Sequence, residues 1–342
     1  LRAQPLPAPR LRGMTQRRRR STSPEPGALR WLFGRLAVAV VIVWAAATVG
    51  FLAMRAIPGD PVAVMLGPLS STSNEQRAAI REDLGLDRPL LQQYLHTMGD
   101  LLRGDLGRSY QQQLDVSEII ARQLGPTVQL AALSLLFAVA LVVLGQALLR
   151  TGIRTGKARR AVIGASEVLA VTLPSFWIGF LLLTVFSFGL GWFPPGGSIG
   201  FASLVLPSIA IAIPVAGFLG QLVSGELDGA ERSGYALTAR AGGASRLEIV
   251  TRHGLRHAVP ATAAITGTIV GGVLGGAVLV ERVFSRPGLG QVTLTAILNR
   301  DLPVVFGLIV LSACLFAVGG ILVDAVVTWA DPRPASRRAV SR

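Results

Sequence analysis

The segment that comes nearest to a phosphate-binding loop is Gly152-x-x-x-Gly156-Lys157-Ala158, between two apolar runs. A loop of that kind needs four residues between its glycines, and a Ser or Thr after the lysine to hold magnesium. Here three residues separate the glycines, and an alanine follows the lysine. The sequence therefore predicts a basic loop at this position and no nucleotide site on this chain.

The pair His253 and His257 has a spacing that could bind a metal ion, because residues four apart share a helix face. No nearby carboxylate or cysteine completes a ligand set. Three histidines and one cysteine, Cys314, leave little material for a metal centre and exclude an intramolecular disulfide. We interpret the pair as part of a solvated or lipid-headgroup face, and we expect no cofactor or metal on this chain.

The composition indicates a membrane protein. Hydrophobic residues make up 51% and charged residues 15% of the 342 positions, with a mean hydropathy of +0.54. Apolar runs of about 20 residues, long enough to cross a bilayer, recur along the chain. We therefore predict an all-α integral membrane protein with six transmembrane helices. The predicted spans are 36–54, 128–149, 162–188, 202–224, 258–280 and 302–323.

The longest uncharged stretch, residues 168–225, must turn. As one helix it would be about 87 Å long, roughly three times the hydrocarbon core of a bilayer. We place the turn at 189–197, GLGWFPPGG, where Trp192 and Phe193 suit a membrane interface. Kinks are expected at three prolines inside the predicted helices: Pro174, Pro207 and Pro214.

The polar segments indicate an external cap and two tails. Residues 55–122, between spans 1 and 2, contain apolar positions at helical spacing and turn sequences at 58–60 and 105–107. We predict a small external helical segment there. Residues 1–35 are Pro/Arg-rich and read as a disordered basic tail, and residues 332–342 as a second tail. The helical positions are Leu90, Leu91, Tyr94, Leu95, Met98, Leu101 and Leu102.

The distribution of basic residues predicts the orientation. Of the 33 Lys and Arg, 23 lie in 1–35, 150–160, 225–258 and 333–342, and 10 lie in 55–122 and 281–301. Basic residues accumulate on the cytoplasmic side, so both termini are predicted to be cytoplasmic. The net charge of +14 is then a topology signal, with a basic inner face that suits anionic lipid, and not the footprint of a nucleic-acid partner.

The cytoplasmic segment 231–260 has the pattern of a helix, a glycine turn and a second helix. Residues 230–241 favour a helix, and Gly242-Gly243 can take the left-handed conformation that closes one. Ser245 and Glu248 have the S-x-x-E spacing of a capping box. Passive loops are usually only a few residues long, so we expect this segment to contact another protein.

The same segment carries a family resemblance. Tyr235-x-x-Thr238-Ala239-Arg240-Ala241-x-Gly243, then His253-x-Leu255-Arg256 and Pro260, resembles the EAA loop of ABC importer permeases, specifically the peptide/nickel branch. Further blocks in the same order, from about residue 50 onward, are similar to that branch. These blocks are 57–62, 84–90, 104–109, 174–177, 275–281, 283–290, 300–305 and 331–333.

The resemblance implies a type I ABC importer permease fold over residues 36–331, in the plasma membrane of a bacterium. It implies that two homologous permease subunits line a path that opens by alternating access. The coupling loop, 225–257, would dock on cytoplasmic ATPase subunits that hold ATP and magnesium, so this chain is not itself an enzyme. An extracytoplasmic binding protein would deliver the substrate: di- or oligopeptides first, with nickel or another small solute as the alternative.

The resemblance also implies two groups of site residues. The ATPase-coupling group is Tyr235, Thr238, Ala239, Arg240, Ala241, Gly243, His253, Arg256 and Pro260. The group on the side of the external binding protein is Asp60, Asp87, Asp105, Glu281, Phe284, Pro287 and Gly288. Gly234, Leu237 and Gly242 stand where the branch commonly has Asp, Arg and Lys. We expect these departures to make the docking helix more flexible.

An ion-gradient-driven secondary transporter or channel is the alternative function. Such a protein would place charged groups near the middle of the bilayer. Glu167 and Asp324 lie instead near the cytoplasmic ends of predicted spans, where we expect helix-end anchoring or subunit contacts. An intramembrane enzyme would need paired aspartates or a Ser–His set within the spans, and the sequence of the spans contains neither.

Overall fold

The computed structural model describes residues 28–56, 61–66, 73–83, 85–150, 157–249, 269, 271–273 and 275–330. Outside these ranges lie most of both predicted tails, the loop at 151–156 and most of the predicted span 258–280. Every regular element within the described ranges is a helix. The helices are α1 (Ala28–Ala56), α2 (Pro61–Leu66), α3 (Asn74–Asp83), α4 (Leu90–Leu102), α5 (Val116–Arg150), α6 (Lys157–Thr172), α7 (Ser175–Leu182), α8 (Ala202–Arg232), α9 (Gly234–Ala241), α10 (Arg246–Ile249), α11 (275–283), α12 (Leu289–Leu298) and α13 (Leu302–Ala330).

Four of the described helices are long and apolar enough to cross a membrane: α1, α5, α8 and α13. They contain the predicted spans 36–54, 128–149, 202–224 and 302–323 and extend beyond them. α5 begins at Val116, so it includes the last residues of the predicted external segment. Pro207 and Pro214 lie inside the continuous helix α8, as expected.

The predicted span 162–188 is wrong as a single helix. α6 ends at Thr172, and α7 with its π-helical continuation (Leu183–Gly189) turns away from it by 104°. The break lies at Pro174, whose backbone is extended, with φ −62° and ψ 137°. Proline has no N–H to continue a helix, and it restricts the residue before it. The sequence predicts a kink within one helix at this proline, whereas in the structure α6 ends before it and α7 begins after it.

The turn predicted at 189–197 is present. Gly191 and Gly197 have φ values of 65° and 90°, a region that glycine adopts readily. The Gly197 N–H donates a hydrogen bond to the Phe284 carbonyl at 3.0 Å. The turn is therefore held against the loop that follows α11.

α8 is the central helix of the described bundle, and it packs against α5, α6 and α7. Leu130, Ala210 and Phe284 belong to the largest cluster of buried apolar side chains, which joins α5, α7, α8 and α11. α1 and α13 form a second packed pair, in which Phe51 and Phe306 are buried.

Ion pairs join helices at one end of the bundle. Arg35 at the start of α1 pairs with Asp324 near the end of α13, and Arg160 of α6 pairs with Asp228 of α8 at 3.0 Å. Asp324 thus anchors a helix end, as expected. Glu167 lies where α6 crosses α8, beside Gly220, whose missing side chain leaves room for it. The predicted coupling segment follows α8 at this same end.

Candidate functional site

The coupling turn, residues 233–249, follows directly from α8. Ser233 is extended, with φ −70° and ψ 158°, and its side chain accepts a hydrogen bond from the Ala236 N–H at 3.4 Å. A serine that accepts such a bond is a helix N-cap. The predicted continuous helix over 230–241 is therefore wrong, because the Ser233 cap separates the end of α8 from α9.

The glycine pair closes α9, as predicted. Gly243 has a φ of 87°, whereas Gly242 has a φ of −82°. The N–H groups of Gly243 and Ala244 donate to the carbonyls of Arg240 and Ala239, which satisfies two carbonyls at the end of the helix. After the turn, the Ser245 hydroxyl accepts a hydrogen bond from the Glu248 N–H at 3.2 Å. Ser245 is thus the predicted N-cap of α10.

Most of the predicted coupling residues that the structure describes face outward. Tyr235, Thr238, Arg240, Ala241 and Gly243 are exposed, and Ala239 is half-buried. His253, Arg256 and Pro260 lie outside the described residues.

Leu237, which is not among the predicted coupling residues, is also exposed on α9. Its side chain is 73% exposed on α9, between the buried Ala236 and the exposed Thr238. The signal was present in the sequence, where Leu237 was noted only as a departure from the family pattern. A leucine this exposed on a short capped helix is an apolar side chain that suits a protein contact.

Arg240 has a role within the chain. Its Nη2 donates a hydrogen bond to the Glu231 carbonyl at 3.2 Å, which ties α9 to the last turn of α8. A displacement of α9 would therefore be passed to α8 through this bond as well as through the short link at Ser233.

The predicted external aspartates have different positions. Asp87 and Asp105 are exposed in turns, and the Asp105 carboxylate accepts a hydrogen bond from the Gly107 N–H at 2.8 Å. Asp60 lies outside the described residues. Asp105 precedes α5 and lies near the start of α13, so it belongs to the end of the bundle opposite the coupling turn.

Glu281, one of the residues predicted on the side of the external binding protein, is fully buried within the chain in this structure. Its carboxylate accepts hydrogen bonds from the Thr127 hydroxyl at 2.7 Å and from the N–H groups of Gly290 at 2.8 Å and Gln291 at 3.3 Å. The Thr127 hydroxyl also accepts a bond from the Leu289 N–H. This network, the Glu281 lock, joins α5, α11 and α12.

The residues around Glu281 are packed equally tightly. A side chain at Gly288 would overlap the Glu281 carboxylate, and one at Gly290 would overlap the backbone of Val278. Phe284 and Gly288 are buried, and Pro287 is half-buried. The side chain of Phe284 therefore belongs to the core, and Phe284 and Gly288, both predicted on the external side, are packed inside the chain in this structure.

A second buried carboxylate, Asp301, was absent from the predicted site. It accepts hydrogen bonds from the Ser109 hydroxyl at 2.5 Å and from the Tyr110 N–H at 3.0 Å. These bonds join the start of α13 to the loop between α4 and α5. Ser109 and Asp301 are 192 residues apart, so no local pattern could have paired them.

A cavity of about 470 Å³ lies beside Asp301, between α1, α4, α13 and the loop that precedes α5. Phe51 and Phe306 form apolar walls, and Arg55 and Asp100 lie among its polar groups. Tyr110 also lines it, and burial raises the pKa of its hydroxyl; to a smaller extent Arg55 lowers that pKa and Asp301 raises it. The tyrosine is therefore a neutral hydrogen-bonding group at physiological pH.

The described residues define a class of protein: a helical membrane protein with an exposed short helix at one end and loops fixed by buried carboxylates at the other. Residues 147–336 match the family model described as binding-protein-dependent transport system inner membrane component. Residues 28–131 match the model of the N-terminal part of such components. The chain belongs to this family.

Relatives and a solved structure agree with that assignment. A Brucella abortus protein named "Putative peptide transport system permease protein" is 35% identical over 311 residues, covering 87% of this chain and 96% of the relative. A glutathione transport system permease protein of Salmonella choleraesuis is 32% identical over 310 residues, covering 90% and 99%. An inward-facing structure of the methionine ABC transporter MetNI covers 62% of this chain and 96% of its own, with a TM-score of 0.53 and 19% identity. That structural likeness supports the predicted type I permease fold.

The chain is therefore a multi-pass permease subunit of a binding-protein-dependent importer, and it is not itself an enzyme. Importers of this family work with ATPase subunits and a solute-binding protein. The alternative of an ion-gradient-driven transporter is not favoured.

Proposed function

We propose that this chain imports di- or oligopeptides together with a second homologous permease subunit. We further propose that α9 is the coupling helix and docks on a cytoplasmic ATPase subunit. The observation that carries the docking assignment is the 73% exposure of Leu237 on a helix capped at both ends. Both termini would be cytoplasmic, and the binding protein would meet the opposite end.

The connection between α9 and α8 provides the mechanism. α8 has 31 residues and so spans about 46 Å, more than the hydrocarbon core of a bilayer. α9 is joined to it through Ser233 and through the Arg240–Glu231 bond. When ATP brings two ATPase subunits together, the motion of α9 would move α8, and α5, α6 and α7 would follow because they pack on it.

ATP and magnesium would be held by the ATPase subunits. Peptide is the favoured cargo because relatives that cover most of the chain are named for peptide or glutathione transport. Nickel or another small solute is the alternative within the same family.

The test is the substitution Leu237→Asp in the complete transporter, with Ile199→Asp as the matched control. Ile199 is 92% exposed and lies in the turn between α7 and α8, at the opposite end of the bundle. We expect Leu237→Asp to weaken co-purification of the ATPase subunits at least about tenfold, which corresponds to about 1.4 kcal/mol. Ile199→Asp should leave that co-purification unchanged.

Equal ATPase recovery from both variants would reject the docking assignment, and with it the cytoplasmic position of α9. The cargo is measured with the unmodified transporter in vesicles, as ATP-dependent uptake of a labelled tripeptide and of nickel. Uptake of nickel without uptake of peptide would reject the peptide assignment and leave the docking assignment intact.

A further inference from the structure

Two arginines give α1 a depth scale. Arg35 pairs with Asp324 at the coupling end, and Arg55 lies at the cavity at the opposite end. Twenty residues separate them, which is about 30 Å of helix and equals the thickness of a bilayer hydrocarbon core. The level of any residue that contacts α1 can be read against this scale.

α4 contacts α1 well below Arg55. The Tyr94 hydroxyl lies 2.6 Å from Trp44 Nε1, which donates to it, and 2.9 Å from the Thr48 hydroxyl. Thr48 and Trp44 precede Arg55 by seven and eleven residues, which is about 10 Å and about 16 Å along the helix. The Tyr94 hydroxyl therefore lies within the hydrocarbon layer, and the axis of α4 lies one tyrosine side chain away from it.

α13 gives the same level for α4. Tyr94, Met98 and Leu101 pack against a buried cluster that includes Phe306 and Val310. Val310 follows the buried Asp301 by nine residues, which is about 13 Å of helix. The cluster that α1 and α13 share thus agrees with the Tyr94 hydrogen bonds in placing the packed face of α4 below the ends of the spans.

The neighbouring face of α4 is a bare leucine stripe. Leu91, Leu95 and Leu102 are 68%, 60% and 89% exposed. Their spacing of four and seven residues aligns them along one side of the helix, next to the packed face of Tyr94 and Met98.

The polar side chains of α4 lie on its remaining side. Gln93 donates to the carbonyls of Leu86 and Arg88, and His96 lies 2.6 Å from the Asp100 carboxylate at the cavity. One helix therefore presents an apolar face to α1 and α13, polar groups to the cavity and preceding turn, and an apolar stripe to its surroundings.

We propose that α4 is an interfacial helix seated in the membrane leaflet at the cavity end, with the leucine stripe in contact with lipid acyl chains. Amphipathic helices of this kind lie with their apolar face about 5–10 Å into the boundary between headgroups and acyl chains. Trp44 of α1, whose Nε1 donates to the Tyr94 hydroxyl, is also exposed. A water-soluble binding protein does not reach that depth. The proposed orientation makes the leaflet at the cavity end the outer one. The lipid contact itself does not depend on that orientation.

The proposal gives the external segment a specific architecture. α4 separates the cavity from lipid, so the wall formed by His96 and Asp100 is positioned by the membrane as well as by the protein. The Tyr94 contacts with Trp44 and Thr48 satisfy polar groups that would otherwise be exposed to acyl chains.

The test measures which reagents reach spin labels on α4. Cys314→Ser removes the single native cysteine, and Leu91→Cys, Leu95→Cys and Leu102→Cys are labelled in turn. The complete transporter is reconstituted in vesicles of phosphatidylethanolamine and phosphatidylglycerol. The matched control is Gln92→Cys, which is adjacent in sequence and exposed, and the lipid reference is Val41→Cys on α1.

For the leucine positions we expect high accessibility to oxygen, which partitions into lipid, as at Val41. Accessibility to a water-soluble nickel chelate should be about tenfold lower than at Gln92, because a polar reagent is excluded from hydrocarbon. Nickel accessibility equal to that at Gln92 would overturn the proposal by placing the stripe in water.

Low accessibility to both reagents would also overturn the proposal, because it would mean that a second protein surface covers the stripe. A label that prevents assembly at one position removes only that position. The other two leucines report on the same stripe.

Discussion

The two ends of the described bundle are held together in opposite ways. At the coupling end, α9 is fixed by local hydrogen bonds: the Ser233 cap, the Gly243 turn and the Arg240 bond to Glu231. At the cavity end, buried carboxylates bind groups from distant parts of the chain: Glu281 holds Thr127, and Asp301 holds Ser109. The first arrangement preserves the shape of one helix, and the second fixes several helices to one another.

This difference indicates which parts move as units. α9 can change its position relative to the bundle without breaking a buried polar network, since its internal bonds travel with it. The Glu281 lock cannot open without leaving buried donors unpaired, which is costly. The parts of α5, α11 and α12 at the cavity end should therefore move together, while motion enters at α9 and passes along α8.

The Glu281 lock should give the largest loss of stability. Glu281→Ala leaves the Thr127 hydroxyl and the N–H groups of Gly290 and Gln291 without their acceptor. We expect a loss of about 3 kcal/mol or more, because each buried donor left without a partner costs about 1–3 kcal/mol. The measurement is the thermal unfolding of the purified transporter in detergent, followed by the loss of monodisperse protein.

Glu281→Gln is the control for this prediction, because its amide keeps one acceptor oxygen in a side chain of nearly the same shape. It should recover part of the lost stability. If Glu281→Ala were as stable as the unmodified transporter, the lock would not hold the parts of the helices at the cavity end, and the contrast between the two ends would fail.

The local features of the coupling turn could be predicted from sequence because each depends on neighbouring residues. Gly243 and Ser245 have conformations and hydrogen bonds that their residue types favour. The helix break at Ser233 is also a local feature, but it was not predicted. Helix propensity summed over residues 230–241 outweighed, in the prediction, one serine side chain that competes for a backbone N–H.

The Glu281 lock and the Asp301–Ser109 bond could not be predicted from neighbouring residues. Thr127 and Glu281 are 154 residues apart, and Ser109 and Asp301 are 192 apart. Hydropathy located the helices that bring them together, but it contains no information on which polar residues meet. Glu281 was placed on the external side by the family resemblance, which contains no information on its burial, and the fold buries it.

The glycine at 290 should give an intermediate effect. A methyl group there would overlap the backbone of Val278, which a flexible side chain cannot relieve by moving aside. Gly290→Ala should cost about 1–3 kcal/mol, typical of overpacking. Gly275→Ala is the matched control, because Gly275 is also helical and has no atom within 4 Å of the added methyl.

Thermal unfolding of the two glycine variants isolates the overlap, since both gain a residue with better helix propensity. Gly275→Ala should be neutral or slightly stabilising. A Gly290→Ala variant that unfolds at the same temperature as Gly275→Ala would show that α12 can move away from α11, contrary to a rigid lock.

The smallest effect on stability should come from the coupling turn, where Gly243→Ala places a side chain at a φ of 87°. A left-handed conformation costs an L-residue about 1–2 kcal/mol, but the turn can relax because a methyl group there meets no atom within 4 Å. The unfolding temperature of the transporter should therefore stay close to that of the control Gly229→Ala, which adds a methyl within α8 where it also meets no atom.

ATPase docking should separate the two variants, because relaxing the turn changes the angle between α9 and α10. A cost of about 1 kcal/mol corresponds to roughly fivefold weaker docking, measured as the ATPase concentration needed for half-maximal transport. Equal docking by Gly243→Ala and Gly229→Ala would mean that the partner does not read the conformation of this turn, and a large fall in unfolding temperature would mean that the coupling end is as tightly locked as the other.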